Sequence, residues 1–104
     1  MCITEILSWE AQPDVSDQQM ITAMQSMLPD LKTLPGFLFQ NLNKDNKGRW
    51  VAVYFWQTVE DAHNSNTLMA NKQSMADLMQ LLHAESIEME VMEPLQVSGT
   101  LLFS

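Results

Sequence analysis

The residues best suited to chemistry on a flat organic molecule lie in the segment WVAVYFWQTVEDAH, positions 50–63. Trp50, Tyr54 and Trp56 are an even number of residues apart, so a strand places all three on one face. Aromatic walls that carry an N–H or O–H group suit a planar ring. We therefore predict that Trp50 and Trp56 bind the substrate and that Tyr54 donates a proton. The alternative is that the three are ordinary core or dimer-interface residues.

His63 is the candidate general base. It lies close to the start of a helix that Thr58 caps, where the helix dipole favours a neutral imidazole that can accept a proton. This hypothesis predicts that His63→Ala abolishes turnover. The alternative is a half-exposed helix histidine beside Glu60, because lone histidines are usually not catalytic.

Two further polar residues are predicted to contact the substrate. Asn66 can orient a substrate oxygen, although asparagine is equally common in caps and turns. His83 lies at the end of a later helix, where a structural role is the alternative.

Cofactor and metal chemistry are not expected. The three glycines, Gly36, Gly48 and Gly99, are isolated, so there is no glycine-rich phosphate loop for a flavin or nicotinamide. Two histidines and one cysteine far apart show no metal-ligand spacing. Oxygenation without a cofactor remains possible if the substrate supplies the electrons, a base ionises it and the pocket is dry.

The composition limits the partners. The 104 residues fit one domain, and 13 acidic against 5 basic side chains give a net charge of -8, which disfavours nucleic acid and anionic membranes. The single cysteine, Cys2, closes no internal disulfide, and no segment resembles a signal peptide or a membrane span. A cytoplasmic protein is predicted.

The elements that must position these residues follow the order strand, helix, strand, strand, helix, strand. Strands are predicted at 2–9, 37–43, 49–56 and 86–93. Helices are predicted from a capping box at Ser16 to a kink or end at Pro29, from Thr58 through His63, and at 71–83. The polar segment 64–66 is a possible interruption after the second of these helices. Alternation of Ile87, Met89 and Val91 with glutamates marks a final strand near an edge of the sheet.

This order is that of a ferredoxin-like α+β unit with a four-stranded antiparallel sheet. Helices cover one sheet face, but the seven apolar residues 50–56 leave neither face of their strand suited to water. A second subunit packed on the other face removes this exposed patch, which predicts a homodimer. The apolar segment 94–104, with Leu101, Leu102 and Phe103, is expected to pack on that partner.

Short sequence anchors support this fold. The second strand begins with Pro35, Gly36 and Phe37, the third ends at Trp56, and Glu60 and Ala62 open the following helix. With these anchors the chain resembles the antibiotic biosynthesis monooxygenase-like family. The resemblance implies a dimeric α+β barrel.

The family contains cofactor-free oxygenases of electron-rich aromatic compounds, heme-degrading enzymes and members without known activity. Heme degradation is disfavoured, because Ser65 and Met75 stand where that branch has a tryptophan and a histidine, and the first strand lacks its asparagine. The expected function is a cofactor-independent monooxygenase acting on a small aromatic or polyketide-like metabolite, without a metal. The alternative is a non-catalytic ligand-binding or accessory protein of a biosynthetic pathway.

Overall fold

A computed structural model describes residues 2–99 of the chain. The predicted order of elements is confirmed. The strands are β1 (Ile3–Trp9), β2 (Phe37–Lys44), β3 (Trp50–Trp56) and β4 (Glu88–Met92). The helices are α1 (Asp17–Ser26), α2 (Leu28–Leu31), α3 (Val59–Met69) and α4 (Gln73–Met79), and a single 3-10 turn, Ala84–Ser86, precedes β4.

The four strands form one antiparallel sheet in the order β2-β3-β1-β4. This is the ferredoxin-like α+β arrangement that the sequence predicts, and β4 is an edge strand as expected. In the register between β1 and β3, Glu5 lies opposite Tyr54 and Trp9 lies opposite Trp50. These two pairs point to the same face, because residues an even number apart share a face of a strand.

The core lies between one face of the sheet and the helices. On β3 the buried side chains are those of Trp50, Ala52, Tyr54 and Trp56, in strict alternation. They form one cluster with methionines of α1 and with Ala62 and Met69 of α3. Val51 and Val53 face the other way, are half-buried and take no part in this cluster.

The prediction that the helix after β3 is short and interrupted at 64–66 is wrong. α3 continues without a break to Met69. Ser65 lies in the buried stripe with Ala62 and Met69, and its hydroxyl donates to the Ala62 carbonyl at 2.6 Å. Asn64 and Asn66 are exposed, so the polar segment meets solvent without breaking the helix.

The predicted end of the first helix just before Pro29 is confirmed, since α1 ends at Ser26 and Pro29 lies in the first turn of the separate helix α2, where a missing N–H costs no helical bond. One other boundary differs from the sequence prediction. α4 stops at Met79 rather than at His83, because the chain then turns and Leu82 forms an isolated bridge with Ala11. Met79 itself is exposed.

The C-terminal segment is described only as far as Gly99. Within it, Leu95 is fully exposed and Val97 is 57% exposed. The predicted packing of Leu101, Leu102 and Phe103 on a partner lies outside the described residues. None of the helices in residues 2–99 has the length and apolar character needed to cross a membrane.

Candidate functional site

An apolar cavity of about 350 Å³ lies between the inner face of the sheet and the helices. Its walls come mainly from Leu7, Met27, Met75, Leu78, Leu82 and Met89. A smaller space of about 30 Å³ shares five lining residues with it and extends towards Glu5 and Trp56. A cavity of this size and apolar character suits a small organic ligand.

Glu5 is the buried ionisable group at the narrow end. Its side chain is 1% exposed, and its Oε1 accepts a hydrogen bond of 3.0 Å from the indole Nε1 of Trp56. Its Oε2 is also buried and has no hydrogen-bond partner among residues 2–99. Burial raises the pKa of Glu5 above its ordinary value, while the Trp56 bond and the charge of His63 act in the opposite direction and are weaker.

Tyr54 lines both the large cavity and the narrow end. Gln40 Nε2 donates to its hydroxyl oxygen at 2.9 Å, which leaves the hydroxyl proton for another acceptor. Burial, helped by the nearby Glu5, raises the pKa of Tyr54 to about 12. Tyr54 is therefore a hydrogen-bond donor at neutral pH, not a base.

Aromatic rings form the wall at this end of the cavity. The rings of Tyr54 and Trp56 stack with centroids 6.2 Å apart and planes inclined by 17°. Phe37 packs edge-on against Trp56 at 5.7 Å. These contacts hold the Trp56 indole in the orientation that donates to Glu5.

Trp9 supplies a second buried polar group that lacks a partner. It lines the large cavity and is 3% exposed, and its indole N–H has no hydrogen-bond acceptor among the described residues. At the mouth, exposed Asn66 lines the cavity and its amide nitrogen lies 3.3 Å from the sulfur of Met89. The cavity thus combines apolar walls with a few polar groups that converge on it.

The structure gathers three of the predicted site residues, Tyr54, Trp56 and Asn66, around one cavity. Trp50 shares the buried face of β3 as predicted, but it lies beyond the cavity lining, with the Lys44 ammonium 4.9 Å from its ring centroid. Its substrate contact therefore stays a prediction without direct geometric support.

The two histidines lie elsewhere. His63 is exposed on α3 and does not line the cavity, and it acts on Glu5 through its charge. His83 follows α4 and lies 3.6 Å from the Glu85 carboxylate, measured from Nδ1 to Oε1. Their proposed catalytic and substrate-binding roles remain predictions.

The sequence analysis missed Glu5 and Trp9. The signal was present, because the period of two places Ile3, Glu5, Leu7 and Trp9 on one face of β1. A glutamate between apolar residues on a buried face needs either a partner or a function. In residues 2–99 no group of three or more histidine, cysteine or carboxylate side chains is arranged to hold a metal ion.

Comparisons with known proteins address the fold. No family sequence model and no curated protein sequence matches the chain. SnoaB, a cofactor-independent oxygenase from Streptomyces nogalater, superposes with a TM-score of 0.69 at 11% identity, over 92% of this chain and 95% of its own. The chain has the antibiotic biosynthesis monooxygenase-like fold.

Two other solved structures with this fold are provisionally assigned as antibiotic biosynthesis monooxygenases. The protein from Nitrosomonas europaea has a TM-score of 0.72 at 14% identity and covers 94% of each chain. The protein from Caulobacter crescentus has a TM-score of 0.71 at 13% identity and covers 91% of each. Identities this low establish the fold, and the site of this chain must be argued from its own residues.

Proposed function

We propose that the protein is a cofactor-independent monooxygenase-like protein that acts on a small aromatic or polyketide-like metabolite. The observation that supports it is the apolar cavity of about 350 Å³ between sheet and helices, with polar groups at its ends. A largely apolar pocket of this kind limits the access of water to the reactive intermediates of oxygen chemistry. The likeness to SnoaB, whose structure is that of a cofactor-independent oxygenase, is consistent with the proposal.

Within this proposal Tyr54 is the proton donor and Trp56 is a wall of the site. Tyr54 keeps its proton because burial raises its pKa to about 12, and the residue lines the cavity. The stacked Trp56 ring offers a flat apolar surface beside it. Asn66, which is exposed and lines the cavity, is the group proposed to meet a substrate oxygen.

We also propose that the functional unit is a homodimer. The outer face of the sheet carries Ile6, Val51 and Val53, which are half-buried and are not packed against the core. A second sheet on this face would remove apolar surface from water. The exposed apolar side chains of Leu95 and Val97 favour contact of the C-terminal segment with the partner.

Oxygen consumption tests the enzymatic proposal. The full chain, freed of metal ions by dialysis against chelator and given no cofactor, is mixed with an anthrone or a hydroquinone in an oxygen-electrode cell. We expect enzyme-dependent oxygen uptake with one oxidised product, and slower uptake for Tyr54→Phe. Absence of uptake across a panel of electron-rich aromatic compounds would contradict it.

The same assay tests His63. If His63 is the general base, His63→Ala abolishes turnover while ligand binding is retained. Full turnover in this variant would exclude His63 as the base and would agree with its exposed position outside the cavity lining.

A non-catalytic role is the second candidate function. One observation favours it: no histidine lines the cavity in the described residues, so the usual general base is missing. Under this alternative the protein binds and carries a metabolite of a biosynthetic pathway. Saturable binding of an aromatic ligand without oxygen uptake would distinguish it from the enzyme.

A further inference from the structure

Glu5 and Trp9 are both buried, and each has one polar side-chain atom without the hydrogen-bond partner that burial requires. Glu5 Oε2 and Trp9 Nε1 are the two side-chain atoms, among residues 2–99, that are buried without a hydrogen-bond partner. Leaving such a group unpaired costs about 1–3 kcal/mol, and more for a charged group. Two unpaired buried atoms beside one cavity therefore indicate that a bound molecule supplies their hydrogen-bond partners.

Both groups border the same apolar space. Trp9 lines the large cavity, Glu5 lines its narrow extension, and the two spaces share Leu7, Tyr54 and Asn66. Glu5 and Trp9 are four residues apart on β1 and face the same way, so their Cα atoms are separated by about 13 Å along the strand. A flat molecule of two or three fused rings spans such a distance once a hydrogen bond is added at each end.

We propose that Glu5 and Trp9 are the two polar recognition groups of this cavity, with Glu5 Oε2 accepting from a hydroxyl of an aromatic ligand and Trp9 Nε1 donating to a carbonyl at its other end. The chemistry of the two atoms determines which end of the ligand must donate a hydrogen bond and which end must accept one. A carboxylate oxygen only accepts, and an indole N–H only donates. The proposal rests on the proposed function only in taking the cavity as a ligand site, and it requires no oxidation.

The surroundings of Glu5 prepare it for this contact. The Trp56 indole holds Oε1, so Oε2 is the oxygen left for the ligand. His63 from α3 and Tyr54 from β3 are the titratable groups that act on it. Tyr54 stays neutral at neutral pH because burial raises its pKa to about 12, and the charge of His63 favours the ionised form of Glu5.

A buried water is the competing partner for Oε2, because a space of about 30 Å³ holds one water molecule. A ligand hydroxyl that displaces such a water makes a charge-assisted hydrogen bond in an apolar site. Removing that hydroxyl from the ligand then lowers the affinity about tenfold. If the water instead stays bound to Oε2, the affinity does not depend on the ligand hydroxyl.

Four bicyclic probes with one skeleton separate these cases by calorimetry on the full-length protein. They are 6-hydroxy-1-tetralone, with hydroxyl and carbonyl; 1-tetralone, with the carbonyl only; 5,6,7,8-tetrahydro-2-naphthol, with the hydroxyl only; and tetralin, with neither. We expect the first to bind about tenfold more tightly than either singly substituted probe. Equal affinity of all four would overturn the proposal and leave a cavity that selects for shape alone.

Two substitutions assign each contact to its residue. Glu5→Gln keeps the shape of the side chain and should reduce the gain in binding affinity that the probe's hydroxyl gives. Trp9→Phe should reduce the gain in binding affinity that the probe's carbonyl gives. Glu90→Gln removes an equal charge from the exposed edge strand and should leave all four affinities unchanged. A hydroxyl advantage that survives Glu5→Gln in full would overturn the role of Glu5.

The pH profile separates recognition from a structural effect. In the wild type the hydroxyl advantage should grow with pH as Glu5 ionises, over the range in which the probe itself stays neutral. This increase of the hydroxyl's contribution to affinity with pH should vanish in Glu5→Gln and persist in His63→Gln. A slope that disappears only in His63→Gln would assign the effect to the imidazole and contradict the proposal.

These binding experiments do not depend on turnover. Tight, hydroxyl-dependent binding without oxygen uptake would uphold the recognition groups and reject the monooxygenase. Oxygen uptake together with equal affinity for the four probes would uphold the monooxygenase and reject the recognition groups.

Discussion

At the scale of single residues, Tyr54 offers the cleanest measurement because it is the one tyrosine of the chain. Burial raises its pKa to about 12 from the ordinary 10.0. The folded protein should therefore show no phenolate absorbance in the ultraviolet until the pH is well above 10.0. Unfolding in denaturant should return the titration to the ordinary range. A folded-state titration near the ordinary value would mean that Tyr54 meets water.

Glu5 gives a pH-dependent stability with a defined sign. Its pKa is raised in the folded state, so the folded protein disfavours the ionised form. The stability linked to Glu5 is then fully present below the unfolded pKa of 4.5 and is lost as the pH rises through the raised value.

We therefore expect Glu5→Gln to increase the free energy of unfolding at pH 8 relative to wild type, and to change it much less at pH 4. Urea unfolding of both proteins at the two pH values measures this difference. Glu60→Gln on the exposed side of α3 serves as the control for loss of one negative charge. A larger gain for Glu5→Gln at pH 4 than at pH 8 would reverse the sign and contradict the assignment.

At the scale of elements, the turn before β2 depends on Gly36. Its φ is +77°, and a Cβ at this position would collide with the side chain of Asp61 in the first turn of α3. The Gly36 carbonyl also accepts from the Gln57 backbone at 2.9 Å. The turn, the end of β3 and the start of α3 are thus packed without room for a side chain.

We expect Gly36→Ala to reduce the free energy of unfolding by roughly 1–3 kcal/mol, measured by urea denaturation. Gly48→Ala is the matched control, because Gly48 also has a positive φ, of 84°, but nothing lies within 4 Å of its Cβ position. If backbone strain were the only cause, both variants would lose the same free energy of unfolding. A larger loss at Gly36, relieved in part by adding Asp61→Ala, identifies the steric contact.

At the scale of the whole molecule, the outer face of the sheet decides the state of assembly. We expect a dimeric mass by light scattering at micromolar concentration. Val53→Glu should yield a monomer, because it places a charge in the centre of that half-buried face. Thr67→Glu, on the exposed side of α3, should leave the dimer intact. A monomeric mass for the wild type would contradict the dimer.

Much of the fold follows from patterns within short segments. The capping box at Ser16 and the Thr58 cap occur as predicted, because they depend on residues three apart. The alternation on β3 is equally local, so the shared face of Trp50, Tyr54 and Trp56 was predictable. The length of a helix was harder to predict. α3 continues through 64–66 because the small side chain of Ser65 fits in the core there.

The sequence by itself determined the order of the elements, the antiparallel sheet and the aromatic face of β3, because these follow from side-chain periodicity and turn residues close in the chain. Only the tertiary structure decided which polar residues meet. Glu5 and Trp56 are 51 residues apart and hydrogen-bond because β1 and β3 pair in one register. His63 lies seven positions after Trp56, yet the rotation of α3 leaves it outside the cavity that Asn66 borders. Long-range register and helix rotation are set by the packing of the whole core, which no short segment encodes.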